Sequence, residues 1–139
     1  MTQPTLTAVR AALATQLSNQ IDGLRASANR PAQINVPAAV VLPAQGTVMA
    51  YKQTFDGAAD VYLRIIVIVS EADSSLGQDL MDPYLSAGGS QSIYAAVQAD
   101  PSLGQVVDYA DVIEATGYGP ISWNGVDYLG CSFIVRAGI

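Results

Sequence analysis

Leu6, Val9, Leu13, Leu17, Ile21 and Leu24 recur at intervals of three and four residues. That spacing is the apolar stripe of an amphipathic helix. Pro4 falls in its first turn, where an N–H would be unpaired anyway. Gly23 stands near its end, in a position suited to a left-handed cap. Further on, the period changes from near four to two. VMAYKQTF (48–55) and VYLRIIVIVS (61–70) read as strands on either side of DGAAD, with Asp56-Gly57 supplying turn chemistry. In the second strand, Val61, Leu63, Ile65, Val67 and Val69 form a wholly apolar face. The opposite face, Tyr62, Arg64, Ile66, Ile68 and Ser70, is polar only at its ends. A central strand covered in part on both faces carries that pattern.

SSLGQDLMDPYLSAGGS (74–90) predicts a short helix ended by Gly88-Gly89, with Leu76, Leu80, Tyr84 and Leu85 on its buried side. Ser90 or Ser92 caps a second short helix, SIYAAVQAD, with Ile93, Ala96 and Val97 turned inward and Pro101 ending it. VVDYADVIEATGYG (106–119) reads as a strand broken by Gly117, Gly119 and Pro120. ISWNGVDYLGCSFIVRA (121–137) contains a hairpin at Asn124-Gly125. After it, Leu129, Cys131, Phe133 and Val135 alternate with Tyr128, Gly130, Ser132, Ile134 and Arg136. The order of elements predicts one α+β domain over residues 1–139. Its architecture is an antiparallel sheet of about four to six strands, packed on one side by the long N-terminal helix and one or two short helices.

Residues 29–43, NRPAQINVPAAVVLP, fit neither period. Three prolines frame two apolar runs, and no charge follows Arg30. Proline confines such a segment to a sheet edge. It also stiffens an extended chain and lowers the entropy lost on docking. The expectation from these residues alone is an edge strand over the core.

Composition changes this picture in one respect. Only 13% of the 139 residues are charged while 50% are hydrophobic; an average soluble protein is about 25% charged. Polar uncharged side chains or other subunits must cover part of the surface. The net charge is −6, and the six bases, Arg10, Arg25, Arg30, Lys52, Arg64 and Arg136, are scattered. Adhesion to nucleic acid backbones is therefore not expected. The single cysteine, Cys131, allows no internal disulfide. The first residues lack the pattern of a secretion signal. The longest apolar run, residues 65–69, is far below the roughly 20 residues of a membrane span.

Chemistry is sparse. The chain has no histidine, so the commonest general base and transition-metal ligand are missing. Cys131, in an alternating apolar strand, reads as a small buried hydrophobe. Asp108 and Asp111 are three apart in a predicted strand and so point to opposite faces. Asp79 and Asp82 share a helix face, but two carboxylates make a poor calcium cage. Asp56 and Asp60 flank the hairpin loop as turn formers. GYGP lacks the spacing of a phosphate loop. Tyr118 and Trp123 serve either hairpin packing or a recognition patch. No catalytic residue, cofactor or metal site is expected, and the chain reads as a non-enzyme.

Several segments together carry a resemblance: PTLTAVRAALATQL, GLRASANRPAQINVPAAVVLP, QTFDGAADVYLRIIVIVS, DLMDPYLSAGGSQSIYAAVQADPSLG and VDYLGCSFIV. They span nearly the whole chain. INVPAAVV, DPYLSAGGSQSI with ADPSLG, and the closing YLG strand are the most telling. The chain resembles tail terminators, the head–tail joining proteins of long-tailed actinobacteriophages. The resemblance implies a small α+β protein of the virion that is assembled in the host cytoplasm. It implies a hexameric ring that sits on the last ring of tail tube protein, stops tube growth and docks the head connector; in such a ring the 29–43 segment would also meet a neighbouring subunit through Val36, Val40, Val41 and Leu42. DNA would pass through its lumen without specific binding, and no membrane is involved. Neighbouring roles, a head completion or stopper protein or another neck ring component, share these features. From other classes, the alternatives are a small ligand-binding or enzyme domain using Asp108, Asp111 or Glu114, and a host adaptor.

Overall fold

The computed structural model describes residues 5–28, 36–51, 58–71, 77–123 and 125–139. Helix α1 spans Leu6–Gln20. Thr5 caps it, its hydroxyl accepting from the Ala8 N–H at 3.1 Å. The predicted stripe is buried at Val9, Leu13, Leu17, Ile21 and Leu24, although the helix itself stops before the last two. Gly23 explains the stop: its φ of 81° is left-handed backbone, which reverses the chain at low cost only in glycine. Pro4 lies outside the described residues.

The strands are β1 (Arg25–Ser27), β2 (Ala38–Pro43), β3 (Met49–Tyr51), β4 (Ala59–Glu71), β5 (Tyr109–Trp123) and β6 (Val126–Gly138). They form one six-stranded sheet in the order β1-β2-β4-β6-β5, with β3 beside β4 beyond the end of β2. Every pairing is antiparallel except β1 with β2, where Arg25 lies opposite Ala38 in parallel. The wholly antiparallel expectation is corrected there. Arg-Ala-Ser is too short to carry an alternation, so nothing in the apolar pattern marked the strand.

β2 is also not an edge strand. β1 flanks it on one side and β4 on the other. Its prolines are tolerated because Pro37 precedes the strand and Pro43 is its last residue, so neither interrupts the middle of the ladder. The 48–55 strand is described only over β3. Asp56 and Gly57 lie outside the described residues, as do Leu76 and Asn124.

Helices α2 (Gly77–Leu85) and α3 (Ile93–Gln98) complete the layer that α1 begins. Ser92, not Ser90, caps α3: its hydroxyl accepts from the Ala95 N–H at 3.0 Å and donates to the Ser86 carbonyl. Ile93, Ala96 and Val97 are buried as the spacing predicts. In α2 the phase differs. Leu80 is 47% exposed, while Met81 and Tyr84 are buried.

The main core lies between the three helices and one sheet face, to which Ala39, Val41, Leu63, Ile65, Cys131, Phe133 and Val135 contribute. A smaller cluster of Val40, Ile66, Ile68 and Trp123 closes the opposite face, joined by Leu42, Ile121 and Tyr128. β4 is thus covered on both faces. Within the sheet, β4 and β6 approach closely at Gly130, where an added Cβ would stand 2.6 Å from the Val67 carbonyl oxygen. No helix among the described residues is long and apolar enough to cross a membrane.

Candidate assembly surface

β5 is the sheet's outer strand, paired with β6 alone. Instead of breaking at Gly117, it runs on through Pro120 to Trp123, absorbing irregularity in two register shifts against β6. Each shift has a consequence for the faces. Val112 lies opposite Val135 and Glu114 opposite Ile134, so Ile113 is the extra residue of a bulge. Without it, Glu114 would lie opposite Phe133, on the helix-facing side of the sheet. With it, Ala115 takes that place, because a one-residue shift exchanges the two faces. The second shift, between Thr116 and Gly119, restores the phase that puts Ile121 and Trp123 on the sheet face away from the helices.

The result is an edge with exposed apolar and acidic side chains. Residues 113–118 are all exposed, with Ile113 at 48% and Tyr118 at 42%. A groove of about 280 Å³ runs between this strand and the helical layer. Tyr84, Leu85 and Tyr94 line it from the helical side, Val112, Ile113 and Phe133 from the sheet, and Glu114 is its one charged residue. Asp108 and Asp111 continue the acidic row. The Asp111 carboxylate accepts from Gln98 Nε2 at 3.4 Å, and Arg136, across the strand from Asp111, is drawn instead over the Tyr109 ring at 5.9 Å.

The four interface residues expected from the sequence are divided by the fold. Val41 is buried in the main core and Val40 in the smaller cluster. Leu42 is half-buried beside Val40. Val36, next to the start of β2, is exposed. The chain's own core therefore takes the apolar middle of the segment, because strands on both sides place its two faces against helices and hairpin respectively. Sequence reasoning missed the β5 edge. The available signal was Ile113 and Tyr118 flanking a run with no buried partner position.

The remaining chemical candidates do not converge. Cys131 is buried, its thiol 3.3 Å from the Thr116 carbonyl oxygen, and burial pushes its pKa up. That is opposite to what a nucleophile needs. Asp60 accepts from the Tyr109 hydroxyl at 2.5 Å, and this bond raises the phenol's pKa. Asp82 accepts from Tyr118 at 3.1 Å, and Asp79 is exposed. Trp123 is buried where Tyr118 is exposed, so packing claims the first and the surface the second. Asp100 forms a turn: it accepts from the Ser102 hydroxyl at 2.6 Å and the Gly104 N–H at 2.9 Å. Those bonds hold its carboxyl below the usual range, the one from Ser102 most. No group of three metal-ligating side chains exists among the described residues. A smaller cavity of about 140 Å³, lined by Gln20, Ser90 and Ser92 among others, holds no titratable group.

No family model matches the chain, and no curated protein matches it in sequence.

Proposed function

We propose that this chain is a virion structural protein, a tail terminator that forms a ring at the head-proximal end of the tail tube. In that role it stops tube polymerisation and offers a surface to the head connector. The assembly part rests on one observation: β5 leaves an outer edge with an apolar groove and exposed Ile113 and Tyr118, on a chain of few charges. Surfaces of that kind mark sites of protein association. The virion part rests on the resemblance of the segments INVPAAVV, DPYLSAGGSQSI and YLG.

A non-enzymatic role agrees with the scattered carboxylates and the buried, protonated thiol. A ring requires that two different patches of one subunit fit each other. Addition of the purified chain to polymerising tube protein of the cognate virion tests the proposal. Arrest of growth supports the terminator. Binding to connector or portal with no effect on tubes assigns the chain to the neck instead.

A further inference from the structure

The β5 groove calls for an occupant, and the far side of the same sheet supplies one by chemistry. β1 is the opposite outer strand, four strand spacings away in the order β1-β2-β4-β6-β5, or about 19 Å. Its first residue, Arg25, is exposed and has no ion-pair partner among the described residues. The Arg25 N–H donates to the Pro37 carbonyl at 3.2 Å, which sets exposed Val36 beside it. Arg10 reaches the same edge, its Nη1 donating to the Ala28 carbonyl at 2.7 Å. Asp22, in the turn before β1, is the one described acid nearby in sequence. One edge thus offers an exposed apolar side chain, Val36, beside Arg25, with Arg10 at the far end of β1. The other offers an apolar groove with Glu114 in it and Asp111 and Asp108 along the strand. Arg136 is the base on that side.

We propose that copies of this chain join head to tail, the β1 edge of one copy seated on the β5 edge of the next. Val36 enters the groove and Arg25 faces Glu114. Because the two surfaces lie on opposite sides of one sheet, each subunit makes both contacts at once. A repeated contact of this kind closes a ring or extends a filament, and an isologous dimer does not arise from it. The proposal rests on the ring reading above and names the faces that meet. The bulges in β5 fit it: they spoil the edge as a template for continuous strand addition and leave side-chain docking as its mode of use.

The test is the solution mass of the full chain, by sedimentation velocity or native mass spectrometry, for wild type, Arg25→Glu, Glu114→Arg, the double variant, and an equal mixture of the single variants. Like charges placed together should weaken assembly at least tenfold in each single variant. The double variant restores the contact with its charges exchanged. The mixture also restores it, since every junction in an alternating array is either the native pair or the exchanged one. Rescue of this kind excludes misfolding as the cause of the single losses. If wild type assembles and the single variants assemble equally well, or if neither rescue occurs, the assignment of faces falls while the ring reading stands. A wild-type chain that stays monomeric at all concentrations overturns both.

Discussion

Val41 has no accessible surface and packs with Ala39, Leu63 and Ile65 under the helices. An aspartate there is an unpaired buried charge, and its cost should be about 4 kcal/mol, enough to unfold a marginal domain. Val36→Asp lies on an exposed position, where substitutions usually stay within about 0.5 kcal/mol of neutral. Chemical denaturation should therefore show Val41→Asp unfolded or nearly so, and Val36→Asp with wild-type stability but weakened self-association. Equal stabilities for the two would contradict the placement of β2. Residue-scale chemistry also sets the alkaline limit. Burial raises the pKa of the Cys131 thiol and the Tyr84 phenol, and the hydrogen bond to Asp60 raises that of Tyr109. A raised folded-state pKa gives stability that is complete below the unfolded value and lost as pH rises through the folded one. Unfolded thiols ionise near pH 8.5 and phenols near pH 10. The melting temperature should thus hold level up to about pH 8 and fall above it, with Cys131→Ala removing the first part of the decline. A melting temperature that rises with pH in that range would contradict the burial of these groups.

At the scale of elements, α3 is six residues long, too short to hold by its own hydrogen bonds. Ser92 ties it at both ends of its hydroxyl, to Ala95 and to Ser86, and is itself buried. Ser92→Ala should cost about 1–2 kcal/mol in chemical denaturation, since the cap is lost and the half-buried Ala95 N–H and the Ser86 carbonyl lose their partner. A cost near zero would mean that α3 is not anchored this way. The periodic elements were legible in advance: α1 from its stripe, β4 and β6 from their alternation, α3 from Ser92 and its inward residues. The departures have local causes. Leu80 and Met81 exchanged roles because the phase of a short helix follows where it docks, and both phases of α2 offered apolar residues. β1 was invisible because three residues carry no period. β5 looked broken because Gly117, Gly119 and Pro120 are turn formers in isolation. Pairing with β6 on one side was enough to carry the strand through them as a bulge. The groove could not be read at all, since it joins Tyr84 and Tyr94 of the helices to Ile113, a contact fixed only by the fold.

For the whole molecule, the expectation of an α+β domain with helices on one sheet face is met, and the sheet is mixed at a single pairing. The low charge content has a structural use in the head-to-tail account. Apolar surface that a monomer would need to solvate lies at β5, and the few bases near β1 are complementary to the acids there. The segment 29–43, which pointed first to an interface, contributes Val36 to that edge and gives Val40 and Val41 to the interior. The central claim is that such a ring caps a growing tube. The direct measurement is tube length by electron microscopy, with the purified chain added partway through polymerisation of the cognate tube protein. The account predicts that lengths freeze at the moment of addition, with added density at one end of each tube. Tubes that lengthen at an unchanged rate, with both ends bare, would contradict it.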